Sequence, residues 1–595
     1  MRKTILAILI LVLCNASCKK EATPSLNKAN DDIAFNQLLK DYNEGKLALN
    51  PVNATFTGDN RFNDQFPNTL SDEYRLKTQK FYTNFKEKLA YFKDESLSES
   101  QQMSKAVLSW DCDMALEQNS FKNDVLMPIN QMWTVNLTMG QFASGSSAQP
   151  FKTVKDYKNW LSRLDKYNIW LQFAEKRMKQ GIKEGYVLPI SLIKKVIPQF
   201  EVLANTPLKN HLFYSPIKNF PDDFSDQEKT VLTGSYSKIL NEKLIPSFKS
   251  IHIFLKSDYI NAGRKNSGIN SVPQGKKYYE YSIKKYTTTA MTADEIHELG
   301  LKEVARILSE MKKVKEQVGF NKSLKDFFNY VRENKELMPY NSPKEIIDNF
   351  NVIHEKMKPQ LEKLFGNKPK TPFIVKQTEK FREASASAEY NIGSLDASRP
   401  GVFYVPIPDA SKYNVFSDEA LFLHEAIPGH HYQISLTQEN EDLPDFRKTL
   451  WYSAYGEGWA LYTESLGKEL GLYLDPYQYF GMLGMEMHRA IRLVVDTGIH
   501  AKNWSREDAI QYSLDNEAEP EASIISEIER YMANPGQALS YKIGQLKIRE
   551  LRAKAKKELG NKFDIREFHN QILETGCIPL ELLESKINKW ISTYK

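Results

Sequence analysis

The sequence predicts a large, mainly α-helical fold carrying one small β-sheet. Three observations lead there. Apolar residues recur at three- and four-residue steps over long segments, strand-like alternation is sparse, and the punctuation between segments separates helices without separating compositions.

In chain order, the leader comes first. In MRKTILAILILVLCNASC, Arg2 and Lys3 precede an unbroken apolar run from Ile5 to Leu13 and then small residues. That layout is a secretory signal, too short for a permanent membrane span, so residues 1–17 are read as a signal peptide of an exported chain. Ala16-Ser17 before Cys18 resembles a bacterial lipoprotein cleavage box, although Asn15 fits it loosely. Cys18 is therefore expected to carry lipid at the mature N-terminus, with residues 18–30 as a tether to the cell envelope, in the periplasm or at the outer membrane. Residues 31–595 are expected to form one domain. Its helical signal is plain in DDIAFNQLLKDYNEGKLAL, FKTVKDYKNWLSRLDKYNIWLQFAEKRMKQGI, TADEIHELGLKEVARILSEMKKVKEQV and KIGQLKIRELRAKAKKEL, and the arrangement expected is two lobes around a cleft. ASAEYNIGSLDASRPGVFYVPIP carries the strand signal, near Ser387 to Asn391 and Val402 to Val405. Pro406 and Pro408 suggest that the second strand lies at an edge, where it could pair with an extended peptide.

Composition narrows the function classes. A 595-residue chain with 41% hydrophobic and 26% charged residues can bury a large core and has the profile of a globular protein. Its formal charge of +5 loses two with Arg2 and Lys3, too little for a nucleic-acid partner. Of four cysteines, Cys14 and Cys18 lie in the leader, so Cys112 and Cys577 form no disulfide framework and are expected to be buried and inert. There is no phosphate-binding glycine loop or G-x-S-x-G elbow, and SGSSAQP reads as a loop.

The chemistry concentrates in LFLHEAIPGHHYQ, residues 421–433. Ser417 is the expected N-cap of this helix, followed by Asp418 and Glu419 in its first turn. In H-E-x-x-H, histidines four apart share a helix face and grip one ion, while the glutamate reaches the water beside it. Here Pro428 occupies the second histidine position. On an unbroken helix His431 would return to the face of His424; with Pro428-Gly429 looped out, His430 would do so instead. Either way His424 and one of that pair are candidate metal ligands, with Glu425 as general base. Glu457, between glycines in WYSAYGEGWALYTESLG, is the candidate third ligand, and Glu464, seven residues on, is a candidate orienting partner for a histidine. In MHRAIRLVVDTGIH, His488, Arg492, Asp496 and His500 form one polar stripe. The stripe is read either as a plain buried polar network or as functional, with Arg492 and Asp496 a structural or supporting pair near the site and His500 a substrate or oxyanion contact.

HEAIPGHHYQ, GEGWALYTE, RLVVDTGIH and YMANPGQALSYKIG, with the earlier YYEYSIKKYTTTAMTADEIHELGLKEV, resemble the bacterial domain-of-unknown-function family 885 over nearly the whole mature chain. That family is similar in turn to helical zinc metallopeptidases of the gluzincin type, such as the angiotensin-converting enzyme and carboxypeptidase Taq families. In those a Gly-His pair supplies the second ligand and a later glutamate the third. The resemblance implies a helical zincin-like fold with a deep cleft, Zn2+ on His424, His430 and Glu457, and Ile427-Pro428 as extra length. It also implies a downstream oxyanion donor, for which Tyr541 is the candidate and Tyr531 the second. The expected activity is zinc-dependent hydrolysis of amide bonds in short peptides. The alternatives are a lipid-anchored binding protein with a non-catalytic metal or peptide cleft, and a zinc hydrolase of a non-peptide amide. Retention of Glu425 favours catalysis, because binding alone needs no general base.

Overall fold

The computed structural model describes residues 26–594 except 133, 146, 381, 382, 384, 385 and 395–398. The expected signal peptide and Cys18 lie outside these residues. So does most of the expected tether, although the first helix begins at Leu26, before residue 30.

The described residues are mainly helical with one three-stranded sheet, and their helices surround two large hydrophobic cores and a small cluster around Phe121. One core forms around the Val154–Glu184 helix, which starts at a capping box of Thr153 with Asp156 and stops at Gly185, whose φ of 80° lies in the left-handed region. Its buried face, including Trp160, Tyr167 and Trp170, repeats every three or four residues and packs against Phe213 and Phe248. The larger core gathers helices from both ends of the chain around Leu423, Trp459 and Val494, and it holds the histidine segment. Cys112 and Cys577 are both buried and unbridged. Among the described residues no helix is long and apolar enough to cross a membrane.

The sheet differs from the sequence reading in two respects. Its strands are β1 (Phe373–Gln377), β2 (Glu389–Asn391) and β3 (Gly401–Val405), in the order β1-β3-β2. The sequence reading did not anticipate β1. Moreover, β3 is central, parallel to β1 and antiparallel to β2, with Val375 opposite Phe403 and Tyr390 also opposite Phe403. Pro406 falls one residue past the strand, so it removes no donor from the ladder and forces no edge. With a neighbour on each side, Val402 to Tyr404 have no free edge for a peptide.

A cavity of about 880 Å3 lies beside the Val154–Glu184 helix, lined by residues such as Asn168, Lys176, Lys183 and Ser247. None of its lining residues belongs to the histidine segment.

Candidate metal centre

The histidine segment folds as two helices with a break between them. Asp418–Glu425 forms the first and His430–Glu439 the second. Ser417 occupies the N-cap position but its side chain caps nothing. Asp418 and Glu419 instead anchor the helix to its surroundings. Asp418 accepts from Asn349 and Tyr413, and burial pushes its carboxyl up to about 7. Glu419 accepts from the Tyr473 amide and pairs with Lys356.

The break requires glycine. A Cβ on Gly429 would stand 1.9 Å from the His424 carbonyl oxygen and 2.3 Å from that of Leu423, well inside contact distance. The Glu457 helix (Ser453–Glu464) clamps the bend. Trp459 Nε1 donates to Pro428 O at 2.9 Å, and Thr463 Oγ1 donates to Leu423 O at 2.9 Å. One helix thus supplies both the restraint on the bend and the carboxylate that faces it.

At the bend, three side chains converge. Glu457 Oε2 lies 3.4 Å from His430 Nε2 and 3.7 Å from His424 Nε2. The two imidazole rings are 4.8 Å apart with their planes at 89°. A ligand atom from each of the three residues lies within 4.8 Å of the other two, a spacing that one cation could span. His424 Nδ1 is bonded to Glu464 Oε1 at 2.6 Å, which leaves Nε2 for a ligand. His430 Nδ1 is buried without a partner among the described residues.

The electrostatics follow from burial and crowding. Burial would raise the Glu457 carboxyl, but the His430 and His424 imidazoles outweigh it and hold the group well below the usual carboxylate range. Burial would lower His424, but hydrogen bonds to Glu457 and Glu464 raise it to about 9. Glu425 is buried beside them without joining the three, and burial raises its pKa against the opposing charges of His424 and His430. A carboxyl so placed is suited to take up and release a proton.

His431 points elsewhere. Its Nδ1 lies 2.9 Å from the Tyr390 hydroxyl and 3.3 Å from Ser435 Oγ, and its ring packs on Phe373 of β1. Burial drives it down to about 4, so it is a neutral packing residue between helix and sheet. The structure brings His430, not His431, to Glu457.

The remaining expected site residues separate into two groups. Tyr541 lies on the Ser540–Leu559 helix, which meets the Glu457 helix where two glycines touch. A Cβ on Gly458 would stand 2.4 Å from Gly544 Cα, and one on Gly544 would stand 1.8 Å from Ala454 O. Ser540 Oγ also lies 2.7 Å from Ser453 Oγ, so Tyr541 sits level with the turn that bears Glu457. Tyr531, by contrast, is buried. Its hydroxyl accepts from Arg492 Nε at 3.0 Å and donates to Glu527 at 2.8 Å.

Two readings of the polar stripe on the Pro476–Ala501 helix need correction. Arg492 does not pair with Asp496. It reaches Glu527 at 2.8 Å, whereas Asp496 accepts from the Tyr279 hydroxyl at 2.6 Å and from the Gly536 amide at 3.1 Å. Residues four apart share a helix face, but different neighbouring elements cover successive turns of that face. His500 is not a substrate contact either. Its Nδ1 accepts from the Ile269 amide at 3.0 Å, its Nε2 lies 3.0 Å from Tyr531 O, and burial lowers it to about 3.

Sequence reasoning missed two residues. Trp451, 44% exposed, lies over Gly456 with its ring 5.8 Å from that of His430. Arg489 acts electrostatically on Glu425 and lies over the Tyr541 ring, 6.0 Å from its centre. Its position three residues before Arg492 is the signal that could have found it, since residues so spaced share a helix face.

Fold and cluster together define a large helical protein with a buried histidine–carboxylate centre. Residues 51–587 match the family described as "Bacterial protein of unknown function (DUF885)", and the chain belongs to that family. It is similar to a crystal structure of a candidate lipoprotein from Colwellia psychrerythraea, at 26% identity and a TM-score of 0.85, covering 94% of this chain and 99% of that one. It also shares its fold with a candidate lipoprotein of unknown function from Shewanella oneidensis, at 19% identity and a TM-score of 0.72, covering 93% and 99% of the two chains. A search of curated proteins found no match.

Proposed function

We propose that this protein is an exported, lipid-anchored, zinc-dependent peptidase of zincin-like type that hydrolyses amide bonds of short peptides. The observation that carries this reading is the convergence of His424, His430 and Glu457 with Glu425 buried beside them. Two imidazoles and one carboxylate are a donor set suited to zinc, and three protein ligands leave a coordination position for a reactant. The Glu464 bond to His424 Nδ1 fits a ligand that coordinates through Nε2. A zinc ion held there would supply Lewis acidity, polarising a carbonyl and making a water a better nucleophile.

The residues of the chain account for the proton transfers. As water oxygen bonds to the carbonyl carbon, Glu425 accepts the proton that water loses. As the C–N bond breaks, Glu425 returns that proton to the leaving nitrogen. Glu464 holds His424 in one tautomer, and Tyr541 is the donor proposed for the developing oxyanion. Short peptides are the favoured substrates because the Glu457 and His430 side chains are only 16% and 11% exposed, too little for a folded protein to reach. The likeness to candidate lipoproteins, together with the Ala16-Ser17-Cys18 box, supports a lipid anchor at the cell envelope.

Glu425→Gln tests the reading. The variant should keep zinc, measured by elemental analysis, and lose at least about a hundredfold in peptide turnover. Turnover unchanged by the substitution, or by chelation of the wild type, would reject it.

A further inference from the structure

Beside the candidate centre, the Pro476–Ala501 helix presents two guanidinium groups, each with one buried nitrogen that has no hydrogen-bond partner among the described residues. Arg492 stands over the Tyr541 ring, 4.6 Å from its centre, and Arg489 lies 6.0 Å from the same centre. Contacts of Ser540 with Ser453 and of Gly544 with Gly458 bracket Tyr541 along the segment that bears Glu457. Arg492 is buried, with a side chain 7% exposed, and its Nε and one terminal nitrogen reach Tyr531 and Glu527. Its other terminal nitrogen is buried and has no partner among the described residues. The Arg489 Nε is likewise buried and unpartnered, and the only hydrogen bond of the side chain to the described residues is a long one from Nη1 to Met485 O, at 3.4 Å.

The carboxylates beside Arg492 are already shared, and Arg489 acts on Glu425 only from beyond ion-pair distance. Glu527 is shared by Arg492, at 2.8 Å, and Arg530, at 3.0 Å, while Glu517 is taken by His488 at 2.6 Å. No carboxylate among the described residues pairs with Arg489. Unused guanidinium donors in a desolvated site are costly unless a ligand fills them, and a planar guanidinium matches a carboxylate in two parallel hydrogen bonds.

Resting on the peptidase reading, we propose that Arg489 and Arg492 bind a carboxylate of the peptide substrate beside the centre. That group is either the C-terminal carboxylate, which would direct cleavage to bonds near the end of the peptide, or an acidic side chain. Tyr541, with its ring against both guanidinium groups, is then fixed between the recognised carboxylate and the scissile bond.

The test is calorimetric titration of the zinc-loaded full chain, in a Glu425→Gln background, with three probes. These are N-acetyl-trialanine as the free acid, the same peptide as its C-terminal amide, and N-acetyl-Ala-Glu-Ala amide. The free acid should bind about tenfold more tightly than the trialanine amide if the terminal carboxylate is recognised. The glutamate amide should do so if a side chain is. Arg489→Gln should abolish the difference and Arg489→Lys should restore part of it, with the thermal midpoint unchanged because Arg489 has no acidic partner to lose. Equal binding of all three probes, or a preference that Arg489→Gln leaves intact, would overturn the proposal. Discrimination that depends on Arg489 in a protein that cleaves no peptide would uphold this site and reject the peptidase reading. Cleavage without discrimination would do the reverse.

Discussion

Gly429 shows how much one residue decides. It lets the backbone pass within contact of the His424 and Leu423 carbonyls and so turns His430 rather than His431 toward Glu457. Gly429→Ala should displace His430 and cost both metal and stability, at least about 1–3 kcal/mol by overpacking; melting and metal content measured together will show it. Glu464→Ala should weaken zinc binding by roughly 10- to 100-fold while leaving the fold intact, as read by competition with a chelating dye. The pH dependence has a definite sign. With His424 raised to about 9, a cation must displace its proton at neutral pH, so zinc affinity should rise with pH and level off above about 9. The convergence of His424 and Glu457 was legible in the sequence because residues able to share one ion are so restricted in type and spacing. The choice between His430 and His431 was not, since it depends on the path of four backbone residues. The spacing of Arg489 from Arg492 was legible, but its unused donor was not, because packing decides which donors find partners.

At the scale of elements, the site depends on how closely two helices approach. Gly458 and Gly544 bring the Glu457 and Tyr541 helices into backbone contact, and a Cβ on Gly544 would overlap Ala454 O. Gly544→Ala should therefore separate Tyr541 from Glu457, lowering activity more than zinc content. The Pro476–Ala501 helix carries a second prediction. Burial raises Asp496 to about 7, above its value in an unfolded chain, so the folded state holds the extra proton. Its contribution to stability is then present below about pH 4 and is lost as the pH rises to about 7, by at most roughly 4 kcal/mol. Asp496→Asn should flatten stability over that window, as read from urea midpoints. The helices themselves were legible from periodicity and caps. The sheet was less so, because β1 lies well upstream of β3 and the central place of β3 is set by that distant partner, which no local pattern encodes.

The described residues form two large cores, and the candidate centre draws its parts from three helices inside the larger one. A cation binding only the folded chain would tie those helices together. At a hundredfold excess over its dissociation constant it should stabilise the protein by about 2.7 kcal/mol, seen as a higher thermal midpoint that a chelator reverses. The mainly helical architecture was plain in the sequence, whereas the membership of each core was not, because it rests on which apolar faces meet across long sequence separations. The central claim is that His424, His430 and Glu457 share one divalent ion. Anomalous diffraction at the zinc edge from zinc-loaded crystals tests it most directly. The account predicts one peak about 2.0–2.2 Å from His424 Nε2, His430 Nε2 and a Glu457 oxygen; no peak there, or a zinc ion on His431 instead, would contradict it.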